Sequence, residues 1–489
     1  MSKLEDILGV KFPKGTNISH ATNDSRKIKK DSIFFGLPGT KDHGSNFVEE
    51  ALNHGASIAV HDDKTYESDN NKVFYIKDLN KLIIKFLNEL KGIDINNNNF
   101  FTFTGTNGKT SSAFLCHQLL SHMGYESIYI GTLGVMHNNK EIQTSFSTKT
   151  TPSIFELFDI VSSANWGMDS LNICIEVSSH ALEQDRLFGI EYFNSASILN
   201  ITNDHIDYHK SLKSYRDAKF GIFQTKSNVM LIKAELEKYS SDYSYLKKNR
   251  INLKTICDTN LFADIFFKIE KSSIKQSEFY ILLNNPPKSQ EHEIGKKYRF
   301  KCDLFPEFNI ENLVFAICSI GFDEFSDSST NNLRYLKLPI GRVELIEGIS
   351  HNVIIDYAHN EHAMDSLLSS IEKYFDNLIV VFGCGGDRDK GKRSKMLKTA
   401  IKYSSKVIFT SDNIRHETFE EIYEDSKKDN KLDSVIAIKD RKKAIIKASD
   451  MLNKDDCLVV LGKGHEQFQE IEGEFINYSD HEVINEIYN

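Results

Sequence analysis

The run Gly105-Thr106-Asn107-Gly108-Lys109-Thr110-Ser111 contains the residue types that grip a nucleoside triphosphate. Glycines let backbone N–H groups close on phosphate oxygens, and a helix opening at the lysine would add its dipole. Lys109 offers a point charge to the outer phosphates, and the Thr110 hydroxyl can reach a magnesium ion. The context fits: an apolar, β-prone run, Phe100 to Phe103, precedes the turn, and a helical pattern, Ala113 to Leu120, follows it. The spacing departs from the common G-x-x-x-x-G-K-[ST] loop, because Phe103 stands where that loop begins. Two further groups lie downstream. Glu176 closes the apolar run Ser170 to Val177, and a carboxylate at the end of a buried strand needs a partner or a metal ion. His205 follows the next such run, Ser195 to Ile201, and is a second candidate ligand. Lys219, taken alone, reads as a surface lysine.

The elements that must position these groups alternate strand and helix, with polar clusters at the strands' C-terminal ends. That implies an α/β protein with a mostly parallel central sheet and its site along one edge. Residues 1–97 read as a small α/β domain, with a polar turn at Asp24-Ser25-Arg26, a strand at Ser32 to Gly36, a turn from Gly39 to Gly44 and a helix from Phe47 to His54. Residues 98–336 form the central domain, where Lys149 to Pro152 turns into a helix from Ser153 to Ala164. The lysine-rich stretch 226–300 reads only as peripheral strands and loops. Beyond a linker near Leu336 to Arg342, residues 337–489 give strands at Asn352 to Ile355, Leu378 to Phe382, Lys406 to Phe409 and Cys457 to Leu461. This is a second, Rossmann-like domain, without G-x-G-x-x-G after its first strand.

Composition narrows the class. At 489 residues, 40% hydrophobic and 26% charged, the chain reads as a multidomain soluble protein. A net charge of −9 argues against a dedicated nucleic-acid binder. No apolar run approaches the ~18–20 residues that cross a membrane, and Met1 to Val10 lacks a signal-peptide layout. Seven scattered cysteines read as reduced, most of them in apolar stretches. The expectation is a cytoplasmic enzyme.

Five stretches taken together resemble the Mur ligases: Thr104 to Thr110, Glu176 to His180, Asn203-Asp204-His205 through Lys219, Asp356 to His359, and Gly462-Lys463-Gly464-His465-Glu466. They occur in the family's order over nearly the whole chain. Gly383 to Arg393 is especially similar to the subgroup that adds the third residue of the muramoyl peptide. The resemblance implies a monomeric ligase of three domains that forms an amide through an acyl phosphate. Its small-molecule substrates would be ATP, a UDP-muramoyl dipeptide and an amino acid. Thr110, Glu176, His205 and a carbamylated Lys219 would frame two magnesium ions, with His359 joining Lys109 at the phosphates. Asn309, Asn312, Arg342 and Asp356 match the nucleotide-contacting set. Ser25, Thr150, Thr151, Ser178, Gln184 and Arg186 match residues that hold the muramoyl dipeptide. Arg388, Asp412, Asn413, Arg415, Gly462 and Glu466 match the pocket for the incoming amino acid.

Some positions depart from the family pattern. Asn360-Glu361 replaces the usual Thr-Pro, Asp185 replaces a histidine, and Lys233 to Leu236 stands where a turn of the form Asn-x-Asp-Asp is usual. Asp412-Asn413-Ile414-Arg415 keeps the arginine of the Asp-Asn-Pro-Arg motif that accompanies use of meso-diaminopimelate. A guanidinium suits the extra carboxylate of that amino acid, and lysine would leave Arg415 without a counter-ion. The rivals are a lysine-adding enzyme of the same type, a folylpolyglutamate synthetase-like ligase and a phosphate-loop motor. Residues 1–97 count against the synthetase, and the Gly462 to Glu466 motif counts against the motor.

Overall fold

The computed structural model describes residues 2–39, 42–138, 140–144, 150–163, 170–249, 252–325 and 332–488. The chain divides into two compact units, one comprising Met1–Thr104, Leu120–Ser197 and Asp217–Met230, the other Gly105–Leu119, Ile198–Arg216 and Leu231–Asn489. Lys149 and Ala164, and part of the Gly39 to Gly44 turn, lie outside the described residues.

The first unit opens with four parallel strands in sequence order, His20–Thr22, Ser32–Gly36, Ile58–His61 and Val73–Tyr75. Val48 and Ala51 of the helix Val48–Asn53 pack on Phe34 and Ala59 of this sheet. Phe86, from the amphipathic helix Asn80–Lys91, sets its ring edge-on to Phe35 at 5.4 Å. The unit's larger sheet runs in the order Tyr192–Ile198, Asn99–Thr104, Asn172–Glu176, Ser127–Gly131, Gly134–His137, Lys140–Ile142. Its core strands are parallel and its last two antiparallel. Phe103 pairs with Glu176 across two of the parallel strands, so the entry to the phosphate loop and Glu176 come to one sheet edge.

Expected boundaries shift in several elements; the helix after the loop, for one, spans Lys109–His122 and the strand expected over Asn352 to Ile355 spans Asn352–Asp356. The strand expected over Ser195 to Ile201 spans Tyr192–Ile198. Its last expected residues leave the ladder because the Asn200 carbonyl accepts the Thr106 N–H at 3.0 Å. The strand expected over Ser170 to Val177 is the shorter Asn172–Glu176.

In the second unit, stretch 226–300 is more regular than its composition suggests. Leu253–Cys257 lies parallel to Ile265–Ser272, which continues antiparallel through Ser277–Leu283 and Lys297–Cys302. Side chains of the last strand alternate exposed and buried, so its lysines and arginine occupy one solvent face. The C-terminal sheet has the order Glu344–Leu345, Asn352–Asp356, Cys457–Leu461, Leu378–Phe382, Lys406–Phe409, Val435–Ala437, parallel except for its first strand. Helices cover both faces, with Met364, Leu367, Met396 and Leu397 against one face and Ala444, Ile445, Val483 and Ile484 against the other. Strands buried on both sides read as unbroken apolar runs. Their shared direction brings Asp356, Gly383, Thr410 and Gly462 to the same edge.

Candidate functional site

Three polar constellations stand at these strand ends. The first, in the second unit, is the phosphate loop. Asn200 ties it from both sides: its Oδ1 accepts the Asn107 N–H at 2.9 Å, and its Nδ2 donates to the Asn107 carbonyl at 3.0 Å. The Thr106 hydroxyl accepts the Thr202 N–H at 2.9 Å and lies 3.2 Å from the Tyr215 hydroxyl. Gly108 has φ +86°, and a Cβ there would fall 2.4 Å from Asn312 Oδ1. Asn312 lies against the loop and in turn donates to Asn309 Oδ1 at 3.1 Å, which places Asn309 one hydrogen bond further out. Lys109 Nζ donates to the Gly105 and Thr106 carbonyls at 2.9 Å each. Arg342 reaches the Thr110 hydroxyl at 3.3 Å and stacks on Tyr357.

Asp356 accepts the Val343 and Ala358 N–H groups at 2.7 Å each. Burial raises its pKa against the opposing pull of Arg342. His359 bonds the Tyr357 carbonyl through Nδ1 at 2.9 Å, and burial with nearby Lys392 lowers its pKa, favouring the neutral imidazole. Burial would raise Asp204, but the charges of His205, His359, Lys109 and Lys392 overcome it and hold the carboxyl below its ordinary value. His205 is exposed, in the left-handed region at φ +52°, with Nε2 3.7 Å from Asp204 Oδ2.

The second constellation lies in the first unit. Glu176 is 0% exposed and satisfied by protein donors. Oε1 accepts the Tyr129 hydroxyl and, at 2.9 Å, the Thr132 N–H, while Oε2 accepts the Thr132 hydroxyl at 3.3 Å. A Cβ on Gly131 would fall 2.1 Å from Oε1, so only glycine leaves room for the carboxylate. Lys219, read from sequence as a surface residue, is 1% exposed on the helix Leu212–Phe220. Its amine therefore meets neighbouring protein groups rather than bulk water.

A cavity of about 790 Å³ in the same unit brings together Ser25, Gln184 and Arg186, with Lys27, Phe155 and Glu156 in its wall. Lys27 and Glu156 form an ion pair there. Thr151 and Ser178 do not line the cavity; they brace it. The Thr151 hydroxyl accepts the Ser178 N–H at 2.9 Å and its carbonyl accepts Arg186 NH1 at 2.9 Å. Ser178 caps the helix Ser179–Glu183. Thr150 also lies outside the cavity wall.

The third constellation, in the second unit, gathers the pocket residues expected for the amino acid. Lys463, which sequence reasoning left without a role, is fully buried. Its Nζ contacts Asn413 Oδ1 at 3.0 Å, Glu466 Oε2 at 3.1 Å and Asp412 Oδ1 at 3.5 Å. Asn413 Nδ2 also donates to Glu466 at 3.0 Å. Burial would raise Asp412, but Lys463 and Arg441 hold it below its ordinary value. Gly462, at φ +108°, leaves space that a Cβ would close to 2.9 Å from Asp412 Oδ2. Arg415 is mostly buried, with its side chain 19% exposed, and contacts the Asn413 carbonyl. Its expected lack of a counter-ion without a substrate carboxylate is wrong: Glu470 Oε2 lies 2.9 Å from its Nε. Arg388 is exposed.

Among the described residues, one His/Cys/Asp/Glu group is compact enough to hold an ion, His292 with Glu293 and Asp323. Both oxygens of Glu293 accept from Lys296 and Tyr298, so protein donors already fill it. Of the four expected magnesium ligands, Thr110 and His205 belong to the second unit and Glu176 and Lys219 to the first. Hydroxyl and carboxylate donors are the chemistry that suits a hard cation.

A phosphate loop on a parallel sheet, followed by a Rossmann-like domain whose strand ends carry a charged pocket, defines a nucleotide-dependent ligase architecture. The family models agree: Mur ligase family catalytic domain over residues 17–90, Mur ligase middle domain over 103–320, and Mur ligase glutamate ligase domain over 341–464. The UDP-N-acetylmuramoyl-L-alanyl-D-glutamate--2,6-diaminopimelate ligase of Clostridium perfringens is 32% identical, over 99% of this chain and 97% of its own. Its counterpart from Aquifex aeolicus is 33% identical over 95% and 92%. A solved structure of a ligase of that name superposes with a TM-score of 0.65 at 25% identity, covering 99% of this chain and 98% of its own. A Thermotoga maritima MurF ligase solved with ADP shares the fold, with a TM-score of 0.61 at 15% identity over 97% and 98%. The chain belongs to the Mur ligase family and is an ATP-dependent ligase. No helix among the described residues is long and apolar enough to cross a membrane.

Proposed function

We propose that this ligase joins 2,6-diaminopimelate to the D-glutamate of UDP-N-acetylmuramoyl-L-alanyl-D-glutamate, a step in peptidoglycan precursor synthesis. The observation that carries this reading is Arg415, held against the Asn413 carbonyl while Asn413 bonds Glu466, in a chain about one-third identical to relatives so named. The glutamyl carboxylate attacks the γ-phosphate of ATP, giving an acyl phosphate and ADP; the amine then attacks the acyl carbon and phosphate leaves. Lys109 would shift from the loop carbonyls to the phosphates, and neutral His359 beside Asp204 suits a group that orients rather than adds charge. Thr110 and His205 would hold magnesium, which would supply charge neutralisation at the phosphates, whereas Glu176 already accepts from Tyr129 and Thr132. Lys219 is read as a carbamylated lysine on its place in the family motif.

Ser25, Gln184 and Arg186 would receive the UDP-muramoyl dipeptide in the 790 Å³ cavity. Three domains, at 1–97, 98–336 and 337–489, are supported by the three family matches. The protein is read as a cytoplasmic monomer. The lysine-adding reading draws on one specific observation, that Glu470 already neutralises Arg415. Phosphate release with the UDP-muramoyl dipeptide and either amino acid at equal concentration tests the proposal. Faster release with diaminopimelate is expected, and a preference for lysine overturns it.

A further inference from the structure

In the amino-acid pocket, Arg415 is gripped from three sides. Its Nε lies 2.9 Å from Glu470 Oε2, and NH1 donates to the Gly386 carbonyl at 2.9 Å and the Asn413 carbonyl at 3.4 Å. A carboxylate binds guanidinium best through two parallel N–H bonds along one edge. Each edge of Arg415 that could offer such a pair therefore has one nitrogen already engaged.

The two engagements differ in how readily they give. Gly386 is immobilised: its N–H donates to the Asn413 carbonyl at 2.9 Å, and a Cβ on it would fall 1.8 Å from the Ile414 carbonyl oxygen. Arg415 cannot follow a ligand either. Its N–H donates to the Glu470 carbonyl at 3.0 Å, its own carbonyl accepts from Glu472 at 2.8 Å, and its φ is +51°. Glu470 is likewise pinned by its backbone, whose N–H donates to Asn413 Oδ1 at 3.0 Å. Its carboxylate, however, sits at the end of two methylenes and is 23% exposed, so it can rotate to water. The soft contact is the side chain of Glu470.

We infer that Glu470 is a specificity-determining residue: an internal counter-ion on Arg415 that the distal carboxylate of the incoming amino acid must displace. This rests on the diaminopimelate reading above. The device has two effects of opposite value. It spares the empty pocket an unpaired guanidinium, and it makes the ligand's carboxylate compete with one already in place. An amino acid that brings only a distal ammonium leaves the Arg415–Glu470 pair intact, so the pocket rejects lysine less strongly than a lone arginine would. Nothing in the sequence marks Glu470 for this role. It lies outside the stretches Asp412 to Arg415 and Gly462 to Glu466, on the hairpin Phe468–Ile471 and Glu474–Asn477, and reaches Arg415 through an isolated bridge between Arg415 and Ile471.

The test is the amino-acid dependence of phosphate release by the full-length enzyme carrying Glu470→Gln, which keeps the shape and removes the charge. Freed of a competitor worth about as much as a partly exposed ion pair, diaminopimelate should show a KM lower by about threefold to fivefold. Lysine should gain nothing, so the preference for diaminopimelate widens by the same factor. The KM for ATP serves as the control that the change is local. Glu470→Asp, which keeps the charge but draws it back by one methylene, should move the KM in the same direction. Calorimetric titration of diaminopimelate into each variant, saturated with muramoyl dipeptide and a non-hydrolysable ATP analogue, reads the same shift without turnover. An unchanged KM in both variants makes Glu470 a bystander, and a raised KM makes it a ligand of the substrate's ammonium; either overturns the inference. The underlying reading fails separately, when the unaltered enzyme prefers lysine or uses neither amino acid.

Discussion

The phosphate loop and the amino-acid pocket both hold polar groups still at the end of a parallel sheet, but with different materials. Around the loop the ties are mostly neutral, from Asn200, Asn312, the Thr106 hydroxyl and backbone carbonyls. Around the pocket they are buried charges. Lys463 sits among Asp412 and Glu466, and the fully buried pair of Arg441 and Asp480, at 2.7 Å, clamps the Leu461 carbonyl at 2.9 Å. Fully buried Arg393 binds Glu417 and Asp425 while donating to the Gly385 carbonyl at 3.1 Å. Removing a neutral tie costs a hydrogen bond, whereas removing one partner of a buried ion pair strands the other charge. The loop should therefore fail first in chemistry and the pocket first in stability.

The largest effect expected is on the loop side. Lys109→Ala removes its one ammonium and should lower kcat by roughly 10²–10³-fold, the scale of a lost electrostatic donor. The melting temperature should stay put, and a collapse of the fold would break the contrast. On the pocket side, Arg441→Ala leaves Asp480 buried without its partner and should destabilise the protein by about 3–5 kcal/mol, read from urea unfolding. A change under ~1 kcal/mol would mean that the clamp is ornamental.

Arg342→Ala sharpens the comparison, since Arg342 touches the loop at Thr110 from the end of the linker. Losing a charge-assisted hydrogen bond should raise the KM for ATP by about tenfold and that for the muramoyl substrate far less. Equal changes in both constants would detach Arg342 from the nucleotide.

The smallest effect concerns acid. The Arg393 hydrogen bonds hold Glu417 down from 4.5 to about 2. A depressed carboxyl stabilises the fold fully above its ordinary value and loses that contribution as pH falls toward the depressed one. Unfolding free energy should therefore fall between pH 4.5 and about 2, and Glu417→Gln should flatten that limb. An unaltered acid limb in the variant would assign the loss to other carboxylates.

How much of this could be read in advance depends on the distance over which each feature is encoded. Strands Leu378–Phe382, Lys406–Phe409 and Cys457–Leu461 match their expected bounds, because burial on both faces writes them as apolar runs ended by glycine or polar residues. The alternation in Lys297–Cys302 is equally regular, with its two lysines and one arginine on the exposed positions, but it stands inside a lysine-rich stretch that masks it. Glu176 was legible as a carboxylate in need of partners, whereas Tyr129 and Thr132, which satisfy it, came from a strand and turn that carried no chemical signal. Asn200 carries no signal of its own in the sequence, because its side chain serves only to bond the loop's backbone.

The sequence by itself determined what local rules can specify: the glycine turn that opens a helix at Lys109, the strand ends, the order of the motifs and so the family. Those depend on backbone conformation and hydrophobic period, which neighbouring residues set among themselves. Only the tertiary structure decided that Lys219 is buried, that Lys463 neutralises the pocket's acids, and that Glu470 covers Arg415. Charge pairing depends on distances of a few ångströms between residues far apart in the chain, 55 positions for Arg415 and Glu470 and 129 for Lys27 and Glu156. A linear pattern carries no record of that separation in space.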